Sequence, residues 1–425
     1  MNKIMFFRDN IGEPPWNYYL LQNLDEKEYS RYLSKLYKIK TGERLNLKHP
    51  KTFNEKLQWL KLYGVTDLMR DCTDKVKVRD YVKERIGEEY LKPVLQIIGA
   101  CHSENLENQN NNSVDFQVVQ NLKEEKSKKS QQSYCHPELV SGSDINNNQK
   151  MLKHACIDDD IQSKKINNTA VQHDRPLIDF VPKSTDVSTY FDKINFDKLP
   201  NAFVIKTNHG CKWQYVIKNK EEFLKNKRLF DIVKQNITGW LEQEYWCWGG
   251  FEMQYRNIEP KLIIEEFLGN EKEIPQETEV YCFNGIPKIF VKVKYGKKRE
   301  ISYYDENFNN IDLIFHNDGK NIIKYEKADC LIKQTFDLSA KLCITNPSPQ
   351  PSTQYNRCIS FTQLEPSLVQ LYLSRGEGVL FNFVRVDWLV FNNKLYFNEL
   401  TFTPYSGFMK FDKKWNLKLG SWMNI

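Results

Sequence analysis

Two charged side chains sit inside an otherwise apolar run, Phe383-Val384-Arg385-Val386-Asp387-Trp388. Read as a β-strand, the period of two puts Arg385 and Asp387 on one face and Val384, Val386 and Trp388 on the other. Charges in such a strand need a partner or a ligand. The run Tyr396-Phe397-Asn398-Glu399-Leu400 follows and brings a second carboxylate. Two carboxylates on a hairpin can share a hard cation that also bridges phosphates, and an arginine beside them can hold developing negative charge. A structural ion pair on a solvated sheet face is the competing reading of Arg385 and Asp387. Register decides part of the question. A two-residue turn at Asn392-Asn393 pairs Asp387 with Asn398 and sends Glu399 to the opposite face. Joint ligation by Asp387 and Glu399 therefore demands an odd-length loop or a β-bulge.

A second cluster is Phe203-Val204-Ile205-Lys206-Thr207-Asn208-His209-Gly210. A lysine ending a buried strand, followed by a small polar loop, suits phosphate: the ammonium neutralises charge and loop amides donate hydrogen bonds. A strand-end lysine snorkelling to water is the competing reading. The third is Lys261-Leu262-Ile263-Ile264-Glu265-Glu266-Phe267-Leu268, an apolar strand with two carboxylates near its end. These could accept bonds from an adenine amino group or ribose hydroxyls, or simply mark a strand running into a turn.

The elements that must position these groups are legible as periodicities. Thr52-Phe53-Asn54-Glu55 is a capping box opening a helix whose Phe53, Leu57 and Leu60 share a face. Asp74 can cap a second helix over 75–86, stopped by Gly87. Strands are expected over 202–206, 214–218, 261–268, 279–283, 287–294, 381–391 and 394–402, with a helix over 221–241. Asn284-Gly285 and Asn392-Asn393 read as hairpin turns. The stretch 315–378 is interrupted by Pro347, Pro349 and Pro351. The fold class is α+β with antiparallel sheets. No G-x-x-x-x-G-K-[ST] or G-x-G-x-x-G occurs, which excludes P-loop and Rossmann readings.

Composition bounds the rest. The 425 residues carry 61 Lys and Arg against 55 Asp and Glu, a formal charge of +6, with no basic stripe to suit nucleic acid. No apolar stretch is long enough for a transmembrane helix. Arg8 and Asp9 interrupt the first apolar run, so no secretory signal is expected. The ten cysteines form no C-x-x-C pair, which fits reduced thiols in the cytoplasm. Residues 101–175 differ from the rest, with 19 Asn and Gln and only Phe116 and Tyr134 as aromatics. That tract is expected to be a disordered insertion. Its Cys101, His102, Cys135, His136, His154 and Cys156 are too widely spaced to preorganise a metal site. It carries 9 Lys and Arg against 11 Asp and Glu, leaving +8 on the remaining residues.

Taken in order, D-K-x-x-x-R (Asp74-Lys75 to Arg79), F-V-I-K-T-N-H-G (203–210), L-I-I-E-E-F-L (262–268), F-N-G (283–285), F-V-R-V-D (383–387) and E-L-T-F-T-P (399–404) resemble the ATP-grasp superfamily, and most closely its TupA-like family. The resemblance covers nearly everything outside the insertion, with a poor stretch around 315–378. It implies two α+β subdomains whose antiparallel sheets enclose a nucleotide cleft. The domain organisation expected is a mostly helical region at 1–98, the insertion at 99–186, a lysine and loop subdomain at 187–268 and a metal-binding subdomain at 269–425.

By motif position the resemblance makes Lys75 and Lys206 the phosphate-contacting lysines. His209 and Gly210 begin a loop over the triphosphate, and Glu265, Glu266, Phe267 and Leu268 line adenine and ribose. Asp387 and Glu399 become the Mg2+ carboxylates, and Arg385 faces the transferring phosphoryl group. The cofactors implied are ATP and Mg2+. The activity implied is a carboxylate–amine ligase working through an acyl phosphate on a cell-surface polysaccharide or glycan precursor, at the cytoplasmic face of the membrane. A kinase or transferase acting on a glycan acceptor, and a degenerate non-catalytic relative, are the alternatives. The motifs depart from the family in three places. H-G-S-G reads His209-Gly210-Cys211-Lys212, D-Y-K reads Glu277-Thr278-Glu279, and the third position of the metal motif is Thr401.

Overall fold

The computed structural model describes residues 18–99, 186–248, 250–269, 273–295, 299–311, 313, 321–323, 330–344, 378–410 and 412–425. The expected insertion with its cysteines and histidines, and much of 315–378, lie outside the described residues.

Helices come first. α1 (Tyr18–Gln22) is followed by α2 (Glu26–Thr41), which Asp25 caps by accepting from Lys27 N–H and which Gly42 ends in the left-handed conformation, φ 79°. α3 (Phe53–Trp59) opens on the capping box: the Thr52 hydroxyl accepts from Glu55 N–H, and the Glu55 carboxylate accepts from Thr52 N–H. A π-helical turn, Leu60–Gly64, continues it. α4 (Asp67–Thr73) precedes α5 (Val78–Ile86), which Gly87 stops as expected. α5 starts later than the expected residue 75. Lys75 N–H donates instead to the Asn208 carbonyl at 3.2 Å, and Asp74 Oδ1 accepts from Val76 N–H at 2.9 Å, so residues 75–77 form a turn.

The first sheet contains β1 (Val94–Ile98), β2 (Phe203–Thr207), β3 (Gln214–Ile217) and β4 (Leu262–Glu266), all antiparallel in the order β1-β4-β2-β3. β4 ends at Glu266, so Phe267 and Leu268 follow outside the strand expected to include them. The helix expected over 221–241 is two, α6 (Lys220–Lys225) and α7 (Lys227–Glu242). Asn226 breaks it, because its side chain accepts from Leu229 N–H and so caps α7 rather than continuing α6. Leu229, Val233, Ile237 and Trp240 of α7 share a core with Phe203, Ile205, Leu262 and Ile264 of the sheet.

The second sheet runs β10-β9-β5-β6-β7-β8, from β5 (Gln276–Phe283), β6 (Ile286–Lys294), β7 (Arg299–Asp305), β8 (Asn321–Ile323), β9 (Phe383–Phe391) and β10 (Lys394–Thr401). Every pair is antiparallel except β7 with β8. Both hairpin turns have left-handed central residues, Asn284 and Gly285 at φ 47° and 79°, Asn392 and Asn393 at φ 50° and 58°. Such turns match the twist of the strands they join. Val384, Val386 and Trp388 face the core, where the Trp388 indole N–H donates to Ser339 Oγ at 3.0 Å in α8 (Cys330–Lys341). Phe53 of α3 meets Phe383 edge-on at 4.8 Å. α9 (Lys413–Trp422) closes on the start of α3, where a Cβ on Gly420 would lie 2.1 Å from the Lys51 carbonyl. Among the described residues no helix is long and apolar enough to cross a membrane.

Candidate functional site

Lys206 does not snorkel to water. It lies next to the end of β2 with 5% of its surface exposed, and its Nζ lies 2.7 Å from Glu265 Oε2 on the neighbouring strand β4. The same carboxylate oxygen is 3.2 Å from Lys92 Nζ, and Arg79 Nη1 is 3.9 Å from Glu265 Oε1. One buried carboxylate thus serves three cations. Burial opposes the Glu265 charge, yet Lys206 and Lys92 hold its carboxyl down to about 2. Burial brings Lys206 down to about 7 even though Glu265 pulls the other way, and Lys92 and Lys75 add to the lowering. The cluster holds more positive charge than it can neutralise.

The opposite arrangement surrounds Arg385. Its Nε and Nη2 donate to the two carboxylate oxygens of Asp387, both at 2.6 Å, and its Nη1 is 3.8 Å from Glu279 Oε1. Asp387 is 0% exposed. Burial raises its carboxyl well above the ordinary range against the pull of Arg385, with Glu279 and Glu399 adding to the rise. Glu399 joins this face because β10 contains the bulge that the sequence demanded. Phe397 pairs with Trp388, Asn398 is skipped, and Glu399 pairs with Asp387. The Thr401 hydroxyl lies 3.0 Å from Asp387 Oδ2 and 3.2 Å from Glu399 Oε1, so the two carboxylates converge on it. Although burial opposes its charge, Lys75, Arg385 and Lys206 hold the Glu399 carboxyl low, which puts the cationic and anionic clusters within electrostatic reach of each other.

Lys75 is steered by its neighbour in space, Asn208. The Asn208 side chain donates to Asp74 Oδ1 at 3.0 Å and to the Glu259 carbonyl at 2.9 Å, and accepts from Lys261 N–H at 2.7 Å. With the Lys75 amide bonded to the Asn208 carbonyl, the 74–75 turn is pinned across the ends of β2 and β4. Lys75 Nζ donates to the Gly210 carbonyl. His209 is a buried anchor beneath the loop: its Nε2 lies 3.1 Å from the Trp240 carbonyl and 3.2 Å from that of Gln243. Gly210 is required by packing, since a Cβ there would meet the Trp213 ring at 2.2 Å. Lys212 stands where the related loop has glycine and takes the left-handed conformation, φ 61°. The loop keeps its shape without the glycine, at a strain of about 1 kcal/mol. Burial pushes the Cys211 thiol up to about 12, so it is held as the thiol at neutral pH.

The structure therefore brings Lys75, Lys206, Glu265, Asp387, Glu399 and Arg385 to one place. It sets His209 beneath the loop, and Phe267 and Leu268 beyond the strand. Glu266 is exposed at the end of β4. Sequence reasoning missed Lys92, which nothing but its charge in Leu91-Lys92-Pro93 marks, and passed over Glu279 as a charge reversal. It also missed Glu252, whose oxygens accept from the Thr403 hydroxyl at 2.6 Å and the Ser406 hydroxyl at 3.1 Å. Burial raises the Glu252 carboxyl, against Lys61. Lys61 Nζ donates to the Gly250 carbonyl at 2.6 Å and to that of Ser406, holding the left-handed Tyr405 and Ser406 in place.

Magnesium fits this donor set. Asp387, Glu399 and Thr401 offer carboxylate and hydroxyl oxygens, hard donors that suit an ion which keeps water or phosphate as its other ligands. Among the described residues no group of three or more His, Cys, Asp or Glu is arranged to hold an ion alone.

A family model described as TupA-like ATPgrasp matches residues 144–349 and 367–424. A search of curated proteins found no match. Among solved structures, the D-alanine–D-alanine ligase of Bacillus anthracis is similar at 15% identity over 50% of this chain and 48% of that chain, with a TM-score of 0.24. The Helicobacter pylori enzyme of the same name gives 14%, 56% and 53%, with a TM-score of 0.24. The ATP-grasp ligase PsnB, complexed with minimal precursor, Mg and ADP, gives 9%, 47% and 38%, with a TM-score of 0.20. The aligned part spans about half the length of the two D-alanine–D-alanine ligases and less of PsnB, and at these TM-scores the likenesses carry no argument. The family match takes in more than half of the sequence, and the chain belongs to the TupA-like ATP-grasp family.

Proposed function

We propose that this protein binds ATP with magnesium at the two charge clusters and uses it to join a carboxylate to an amine, in the making of a cell-surface polysaccharide or its precursor. The observation that carries the reading is the pair of unbalanced buried clusters. Three cations share Glu265, and Arg385 is shared by Asp387 and Glu279 with Glu399 alongside. A polyphosphate neutralises the first and a divalent cation the second, so a metal–nucleotide complex completes both.

In this reading Lys206 and Lys75 hold the phosphates, and the 209–213 loop lies over them. Glu265 is reassigned from contacting the nucleoside to orienting Lys206 and Lys92, since its carboxylate is committed to them. Contact with adenine and ribose falls to Glu266, Phe267 and Leu268. Asp387 and Glu399, with Thr401, would hold the ion, which draws charge from the phosphate oxygens when bound. A substrate carboxylate oxygen attacks the terminal phosphorus as ADP leaves. The amine then attacks the acyl carbon, phosphate departs with the bonding electrons, and the amine proton is lost. Arg385 faces the phosphoryl oxygens as their charge develops.

One observation favours the non-catalytic alternative: Nε and Nη2 of Arg385 are taken by Asp387, and Glu279 stands beside the remaining Nη1 where the resembling motif has lysine. Product analysis by phosphorus NMR separates the readings. ADP, free phosphate and an amide support the ligase. A phosphorylated acceptor would mean a kinase, and bound ATP left unconsumed across carboxylate and amine donors would mean a non-catalytic relative.

A further inference from the structure

Lys92 lies in the loop just before β1, 7% exposed, and belongs to the first sheet's side of the site. Its Nζ donates to Asn398 Oδ1 at 2.9 Å, across 306 residues of chain, and sits 3.2 Å from Glu265 Oε2. Asn398 is the residue the β10 bulge skips, and the next residue is Glu399. Glu265 Oε2 in turn lies 2.7 Å from Lys206 Nζ. Asn398, Lys92, Glu265 and Lys206 thus form an unbroken polar chain from the bulge to the end of β2. Arg79 Nη2 donates to the Lys92 carbonyl at 2.8 Å and so fixes the backbone from which this lysine reaches.

We infer that Lys92 is a positioning residue: by holding Asn398 it sets where the bulge aims Glu399, and through Glu265 it ties that aim to Lys206. The inference rests on the reading of Glu399 as a magnesium carboxylate and Lys206 as a phosphate contact. Leu400 opposite Val386 in the core already forbids a slip to the regular register, which would press Glu399 into that core. The anchor therefore does not create the bulge. It removes the remaining freedom of a segment whose ladder is interrupted, and bulges beside sites act by re-aiming side chains in this way. Residues that hydrogen-bond metal ligands commonly govern affinity, and Lys92 acts one step further out, through Asn398, the residue before Glu399.

The test uses the full chain with Lys92→Met, Asn398→Leu and Lys92→Arg. Calorimetric ATP titrations at a series of Mg2+ concentrations give the metal requirement of binding, and melting temperature reports the fold. Lys92→Met and Asn398→Leu should each raise the Mg2+ concentration for half-maximal binding about tenfold, with a smaller change in metal-free ATP affinity. Lys92→Arg, which keeps charge and donor, should recover most of the loss. Having the second variant keeps the test decisive if Lys92→Met does not fold. Both variants binding with an unchanged metal requirement, whatever their melting temperatures, would overturn the inference alone. A wild-type chain that binds no metal–nucleotide overturns the site reading and this inference together.

Discussion

The two charge clusters are mirror images. Around Glu265, one anion is shared by Lys206, Lys92 and Arg79. Around Arg385, one cation is held by Asp387, with Glu279 close by and Glu399 within electrostatic reach. Each is buried, where unpaired charge is expensive, and each is short of the opposite sign. A cluster built only for stability would balance its charges. The proposed metal–nucleotide complex would answer both, its phosphates towards β2 and β4 and its cation towards β9 and β10.

The largest effects are expected at the minority charge of each cluster. Glu265→Gln leaves three cations without an anion, and Arg385→Met leaves the carboxylates without a cation. Each should destabilise the nucleotide-free protein by about 3–5 kcal/mol in urea unfolding. A loss under about 1 kcal/mol in either would mean the clusters are not the closed units described. Removing a majority charge should act differently. Lys206→Met still leaves Glu265 with Lys92 and Arg79 and removes a charge that burial penalises, so unfolding free energy near pH 7 should not fall, while ATP turnover falls about 100-fold. Equal effects of Lys206→Met and Glu265→Gln on stability would erase the distinction between minority and majority charge.

The surplus also has a pH signature. Lys206 titrates at about 7 in the folded chain against an ordinary 10.5. Between those values the unfolded chain holds the extra proton, so the penalty of burying the charged lysine is full below 7 and is relieved as pH rises towards 10.5. Melting temperature without nucleotide should carry a rising component over that window, absent from Lys206→Met. Glu265 runs the other way: with its carboxyl at about 2 against an ordinary 4.5, its stabilisation is present above 4.5 and is lost as pH falls towards 2. The smallest effect belongs to the loop. Lys212→Gly should raise stability by about 0.5–1 kcal/mol by removing the left-handed strain, seen as a small rise in melting temperature. A clear fall would show that the lysine side chain does more for the loop than the backbone strain takes away.

The hairpins were legible because their information is local. Asn284-Gly285 and Asn392-Asn393 accept left-handed backbones, and alternation fixes which face each strand residue takes. The need for a bulge before Glu399 was legible too, as a conflict between turn length and the facing of two carboxylates. Its position at Asn398 was not, because that is set by the packing of Leu400 opposite Val386 in the core, a contact between strands that alternation alone does not reveal. His209 shows the same limit from the other side. The motif placed it at the start of the loop, but only the structure shows that two carbonyls at the end of α7 hold its ring. The break at Asn226 was a local signal overlooked, since asparagine caps helices more readily than it continues them.

Calorimetric titration of ATP with and without Mg2+ into the wild-type chain, Lys206→Met and Glu399→Gln asks whether one ligand of mixed charge completes both clusters. Magnesium should strengthen binding to the wild type, Glu399→Gln should keep metal-free ATP binding but lose the strengthening, and Lys206→Met should lose both. ATP binding indifferent to magnesium in the wild type, or identical behaviour of the two variants, would contradict completion of both clusters by one ligand.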